Sequence, residues 1–291
     1  MANVTVTTAA NFIPEVWSDA ILDYAERRFR LKNQVTDVSS LITSGADTIH
    51  VPRVDEETAA AKSADTSVTF AANTDAKTDI SINQHSYEAK RIEDIVRVQE
   101  NADLFNLYAR SMGYALGKKV ENYLAVDVLQ SATANDVTLA TDNTPTAAEL
   151  RAGIQKLMDL GVDPAAVGVD AYFYASPATY LNLLGLDQFV SWQKVGPAKE
   201  SGNTTGILGE VYGIPTYQSI DWGSAGTTGE ETATLFTREA VLFAMQIQPR
   251  VHAQYMAREL ATEVVADVLF GASLTQSAAD AAGQVVNFNN P

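Results

Sequence analysis

The 291-residue sequence predicts an α+β protein, and three observations carry that prediction. One long helical periodicity occupies the middle of the chain, with Leu104, Tyr108, Met112, Ala115, Leu116, Val120, Tyr123, Leu124 and Val128 recurring at spacings of three and four. Three period-2 apolar runs lie together near the end. Between them, residues 146–219 alternate short helix and strand signals, as a separate insertion does.

The elements follow in chain order. Residues 1–44 read as an N-terminal arm and a first helix: the first dozen are small and β-prone, and Pro14 suits a first-turn position. Trp17, Ile21, Tyr24 and Ala25 then share one face. Residues 45–92 read as an extended hairpin loop. Ile49 to Val54 and Ile80 to Asn83 are strand-like, and the span between them is mostly Asp, Glu, Ala, Ser, Thr and Asn, with Phe70 its only aromatic. Such a span has too little apolar surface to offset its ordering entropy, so it is expected to gain order against a neighbouring copy of the chain. Tyr87–Glu100 reads as a charged, mixed segment leading into the helix.

Residues 93–145 carry the spine. From Asn101 to Gln130 the helical pattern predicts a rod of roughly 45 Å at 1.5 Å per residue. Residues 146–234 form the insertion. It opens with a helix over Thr146–Leu160, started by a Thr-x-x-Glu capping box and stopped by Gly161. A buried strand at Val167–Ala175 and a short helix at Pro177–Leu184 follow, then Gly/Ser/Thr-rich loops with apolar islands at Ile207–Leu208 and Val211–Tyr212. Residues 235–275 hold the three late runs. These are Val241, Phe243, Met245 and Ile247; Val251, Ala253, Tyr255 and Ala257 opposite Arg250, His252, Gln254 and Arg258; and Val264, Ala266, Val268 and Phe270. Residues 276–291 read as a small, polar, extended tail.

Composition narrows the function. The formal charge of −16 disfavours a surface that grips polyanions. There are no cysteines, so neither disulfides nor thiolate metal sites hold the chain, which fits a reducing compartment. The start lacks a basic region and an apolar core, and no run of about 18 apolar residues exists, so a soluble protein without signal peptide or membrane span is expected. His50, His85 and His252 fit no metal-binding spacing; His50 and His85 fall on opposite strands of the hairpin and could face each other. Gly113-Tyr-Ala-Leu-Gly-Lys-Lys is one residue short of a phosphate loop and lies mid-helix, where its small residues suit close packing. Gly206-Ile-Leu-Gly-Glu-Val-Tyr-Gly lacks Rossmann spacing, and its glycines suit turns. Glu56-Glu57 and Glu230-Glu231 read as solvated acids. No nucleophile elbow is present. The residues predict neither a catalytic site nor a cofactor or metal site.

In order, these pieces resemble the major capsid proteins of tailed bacteriophages, with the Hong Kong 97-type fold. The segments DPAAVGVDAYFYASPATYLNLLG and GILGEVYGIPTYQS carry the most specific part of the resemblance, the second through its Gly-x-x-x-Gly-Ile-Pro string at Gly209–Pro215. By that resemblance 45–92 is the loop that reaches over a neighbouring subunit, 93–145 and 235–275 are the peripheral domain, and 146–234 is the axial domain. It implies hexamers and pentamers tiling an icosahedral head around double-stranded DNA, assembled in the bacterial host and resident in the virion. It also implies a separate scaffolding protein (or a segment removed ahead of residue 1), a portal and decoration proteins. Ile49, Val51, Arg53, Phe70, Ile80 and Ile82 are the expected subunit-interface residues, with Ile49, Val51, Ile80 and Ile82 gripping apolar surface and Arg53 meeting a neighbour's carboxylate. Two rivals stand beside this reading: an encapsulin-like cellular compartment of the same fold, and an acidic oligomeric hydrolase with a site in loops 196–230.

Overall fold

The computed structural model describes residues 29–42, 46–53, 59, 61–65, 67, 68, 70, 76–94, 104–164, 166, 168–186, 209–220, 230–275 and 284–291. The N-terminal arm, the helix expected from Pro14 and the Ile207–Leu208 island lie outside the described residues.

The first sheet is built on two long strands, β10 (Val241–Met256) and β11 (Ala261–Leu274), paired antiparallel along their length. The first two late runs, read from the sequence as separate segments, are thus one strand. Opposite partners are Met245 with Phe270, Ile247 with Leu269 and Arg250 with Asp267, so β10 gains one extra residue in each interval. Two bulges restore the original phase, and Pro249 sits where the ladder is already interrupted, as a strand proline must. The short β1 (Thr36–Asp37) flanks β10 in parallel, and β4 (Gln84–Glu93) flanks β11, giving the order β1-β10-β11-β4. β4 takes up Tyr87–Glu93 of the expected charged, mixed segment, whose residues 95–100 lie outside the described residues. Its inward positions are Gln84, Ser86, Glu88, Lys90 and Ile92, all half-buried. Only one of them is apolar, so no hydrophobic alternation announced the strand.

One face of this sheet receives the spine. The helix α1 (Leu104–Asn122) buries Ala109, Met112, Leu116 and Val120, with Ala115 on the exposed side rather than on the expected apolar stripe. It continues as a π-helical segment, Tyr123–Leu129, which buries Leu124, Ala125, Val128 and Leu129. Tyr123 meets Phe270 edge to face, with centroids 5.4 Å apart.

The other face receives the hairpin of β2 (Thr48–Arg53) and β3 (Ala76–Ser81), paired with Ile49 opposite Ile80. Ile49, Ile80 and Ile82 are buried with Leu242 and Ala244 of β10 in the same protomer. These three were expected at the subunit interface, and within the protomer their apolar face is covered by β10. The alternation in the sequence marked a face to be buried, and it does not say which copy of the chain covers it. Gly271 makes the crossing possible, since a Cβ there would lie 2.2 Å from the Ser81 carbonyl oxygen. Because both faces of β10 are covered here, residues 241–245 are buried without interruption.

A second sheet lies beyond the spine, in the order β5-β12-β9-β6-β8-β7. Its members are β5 (Val137–Thr138), β6 (Ala171–Ala175), β7 (Glu210–Val211), β8 (Ile214–Gln218), β9 (Glu231–Thr237) and β12 (Val285–Asn289). The helix α2 (Ala147–Asp159) covers it, started by the expected capping box of Thr146 and Glu149, and α3 (Pro177–Leu184) starts at Ser176, whose hydroxyl accepts from Thr179 N. β7 and β8 are joined through Tyr212 (φ 52°) and Gly213 (φ 83°), a two-residue turn with both central residues left-handed, which explains the glycine before Ile214-Pro215. The C-terminal tail is corrected in part. Val285–Asn289 is an inner strand between β5 and β9, and Val285, Val286, Asn287 and Phe288 are buried. Three apolar residues around an asparagine, among small polar neighbours, are too short a cluster to read as a strand from their pattern. The second lobe thus draws on segments before residue 146 and after residue 234, and β9 runs across the expected boundary.

The two lobes share one core, which joins Met112, Leu124, Phe243 and Phe270 to Tyr174, Phe236 and Val285. Asn287 ties them further. Its amide donates to the carbonyls of Leu129 (3.0 Å) and Ala132 (2.8 Å) at the end of the spine, and its oxygen accepts from Thr234 Oγ1 (2.6 Å).

Candidate assembly surfaces

The hairpin is anchored at its base and exposed at its end. Thr78 Oγ1 donates to the Thr275 carbonyl, and Ile82 N donates to Asp47 O at 2.8 Å. Val51 is half-buried on this base. Toward the tip, Val68 is exposed and Phe70 is 93% exposed. A phenylalanine in water at the end of an arm is a side chain without its apolar cover. The side chain of Arg53 lies outside the described residues.

His50 and His85 do not face each other. His50 Nδ1 pairs with Asp79 of β3, which Lys77 Nζ also approaches at 3.2 Å. The hydrogen bond from His50, then that from Lys77, holds the Asp79 carboxyl below its usual value. The register sets these pairings, because His50 lies opposite Asp79 in the hairpin, whereas His85 is on β4 in another sheet.

His85 belongs to a second cluster, across β10, β11 and β4. Asp267 receives Arg250 Nε at 2.9 Å and Arg250 Nη2 at 3.0 Å, with His85 Nε2 at 3.0 Å and His252 Nε2 at 4.0 Å. The Asp267 side chain is 8% exposed. Burial works to raise its carboxyl, and the hydrogen bonds from Arg250 and His85 outweigh that and lower it. The sequence placed Arg250 and His252 on the polar face of this sheet but left Asp267 unremarked. Its signal was an acid alternating with Val264, Ala266 and Val268 on a strand.

In the first sheet two strand edges are open among the described residues. β4 has no strand on its outer side, and β1 covers β10 only at Leu242 and Phe243. A cleft of about 380 Å³ lies between the hairpin base and the π-helical segment, lined by Lys77, Asp79, Tyr123, Asp127, Ser131 and Ser273 among others. Among the described residues no group of three or more His, Asp or Glu is placed to hold a metal, and no helix is long and apolar enough to cross a membrane.

This architecture is the Hong Kong 97-type capsid fold. The chain is similar to a capsid chain of the cyanophage P-SCSP1u (TM-score 0.70, 15% identity, 90% of this chain and 88% of that one). It is similar also to a chain of the mature capsid of bacteriophage PhiM1 (TM-score 0.71, 10% identity, 90% and 86%) and to a chain of a native GTA particle capsid (TM-score 0.66, 10% identity, 89% and 89%). No protein-family model matches the chain, and no curated protein does.

Proposed function

We propose that this chain is the major capsid protein of a tailed-phage head, assembling into hexamers and pentamers of an icosahedral shell that encloses double-stranded DNA. The observation that carries the reading is the shared fold, which runs through about nine-tenths of both chains in each capsid comparison. The exposed hairpin end supports it. Phe70 and Arg53 act at the subunit boundary, and Val51 contributes at its rim. Obligate interfaces commonly bury about 2,000–5,000 Å². The charge of −16 keeps packaged DNA from adhering to the wall. A scaffolding protein, a portal and decoration proteins complete the set of partners, with assembly in the host cytoplasm before the coat enters the virion.

Negative-stain microscopy of purified protein is the direct test, and closed shells are the expected result. A shell that protects double-stranded DNA from nuclease supports the head reading; one that carries a single enzyme points to a cellular compartment instead. Deleting residues 55–75, outside both paired strands, is expected to leave a folded protomer that forms no closed shell. Particles of normal size from that variant remove the hairpin from the assembly mechanism.

A further inference from the structure

Where the last strand meets β5, a carboxyl and an amide each leave one polar atom without a partner. Asn289 Nδ2 donates to Asp136 Oδ2 at 3.3 Å, while Asp136 Oδ1 and Asn289 Oδ1 are both buried and both lack a partner. Two acceptors without donors are a costly arrangement for buried groups. One proton resolves it. A protonated Asp136 donates its O–H to the amide oxygen while the amide N–H donates to the other carboxyl oxygen, and the pair closes into a ring of two hydrogen bonds.

The surroundings favour that proton. Glu231 of β9 lies opposite Asn289 in the register and opposes a second negative charge. Lys156 of α2 works the other way; its Nζ donates to the Asp136 backbone carbonyl at 2.5 Å. Burial of the carboxyl is the largest influence and Glu231 the next, and together they push Asp136 up to about 6 against the hydrogen bond of Asn289 and the charge of Lys156.

We propose that Asp136 and Asn289 form a proton-dependent latch that fastens β12 to β5, closed as an acid–amide pair and loosened when the carboxyl ionises. The latch sits at a structural junction. Leu139 N donates to Asn289 O at 2.8 Å, Phe288 packs edge to face on Phe173, and Asn287 holds the end of the spine. The sign follows from a carboxyl raised in the folded state. Its stabilising effect is complete below the unfolded carboxylate range and is lost as pH rises through about 6. The C-terminal strand is therefore held more tightly in mild acid than at neutral pH.

Hydrogen exchange on the full-length protein at pH 5.0 and pH 7.5, corrected for the intrinsic pH dependence of exchange, tests the latch. Amides of 285–289 and 137–139 are expected to lose roughly tenfold in protection at the higher pH. Asp136→Asn removes the titrating group, and protection there should become equal at both pH values. Glu231→Gln keeps the latch and should move the loss to lower pH, which serves if the first variant folds poorly. Wild-type protection that does not change with pH, a loss that persists in Asp136→Asn, or a transition unmoved in Glu231→Gln each overturns the latch. Assembly is not measured, so these results leave the capsid reading where it stands.

Discussion

Asp267 shows how one side chain can bind three strands together. It is buried, and its charge is tolerated because Arg250 from β10 and His85 from β4 both reach it. Breaking such a group by removing a partner costs more than the pair contributes, since a buried charge is left behind. Arg250 is itself 48% exposed, so water recovers part of the loss. Arg250→Ala is expected to cost about 1–2 kcal/mol in chemical denaturation. The lowered Asp267 carboxyl contributes stability above the unfolded carboxylate range near 4, and that contribution is lost as pH falls through the folded value. Asp267→Asn should therefore flatten the acid limb of a stability–pH curve, and an acid limb identical to wild type counts against this role. The polar alternation of 250, 252 and 254 was readable in the sequence. That Asp267 and His85 face Arg250 depended on two strand registers, one of them on the unforeseen β4.

Among the elements, the spine and the last strand depend on each other. Asn287 is fully buried and supplies donors to two carbonyls where the π-helical segment ends, Ala132 O and Leu129 O, the second of which also accepts from Ala132 N. Asn287→Ala leaves Leu129 O, Ala132 O and the Thr234 hydroxyl without that partner, at an expected cost of about 3 kcal/mol. Thr146→Ala, which removes only the α2 cap, should cost about 1 kcal/mol. Thermal unfolding of the two variants checks the ranking, and an equal or reversed order contradicts the junction role of β12. The cap was visible as Thr-x-x-Glu because it is local. Asn287 was not, because a lone asparagine in Val-Val-Asn-Phe says nothing of the carbonyls 155 and 158 residues away that it meets.

For the molecule as a whole, the hairpin divides into a base that belongs to its own protomer and a tip that reaches outward. Phe70 is almost wholly exposed, so Phe70→Asp should change protomer stability by less than about 0.5 kcal/mol while reducing shell formation severely. Sedimentation of assembly reactions, beside denaturation of the unassembled chain, separates the two effects. Normal shells from this variant leave Phe70 without an interface role.

By itself the sequence determined the class of fold, the spine, the capping box, the Pro177–Leu184 helix and the turn at Gly213, because each rests on periodicity or backbone preference within a few residues. Only the tertiary structure decided that Ile49, Ile80 and Ile82 are covered by β10, that β4 completes the first sheet, and that the last five strand residues lie inside the second. Those outcomes turn on which distant surface meets a given face. Alternation records that a face is to be buried, and the cover is chosen by contacts formed across the whole chain.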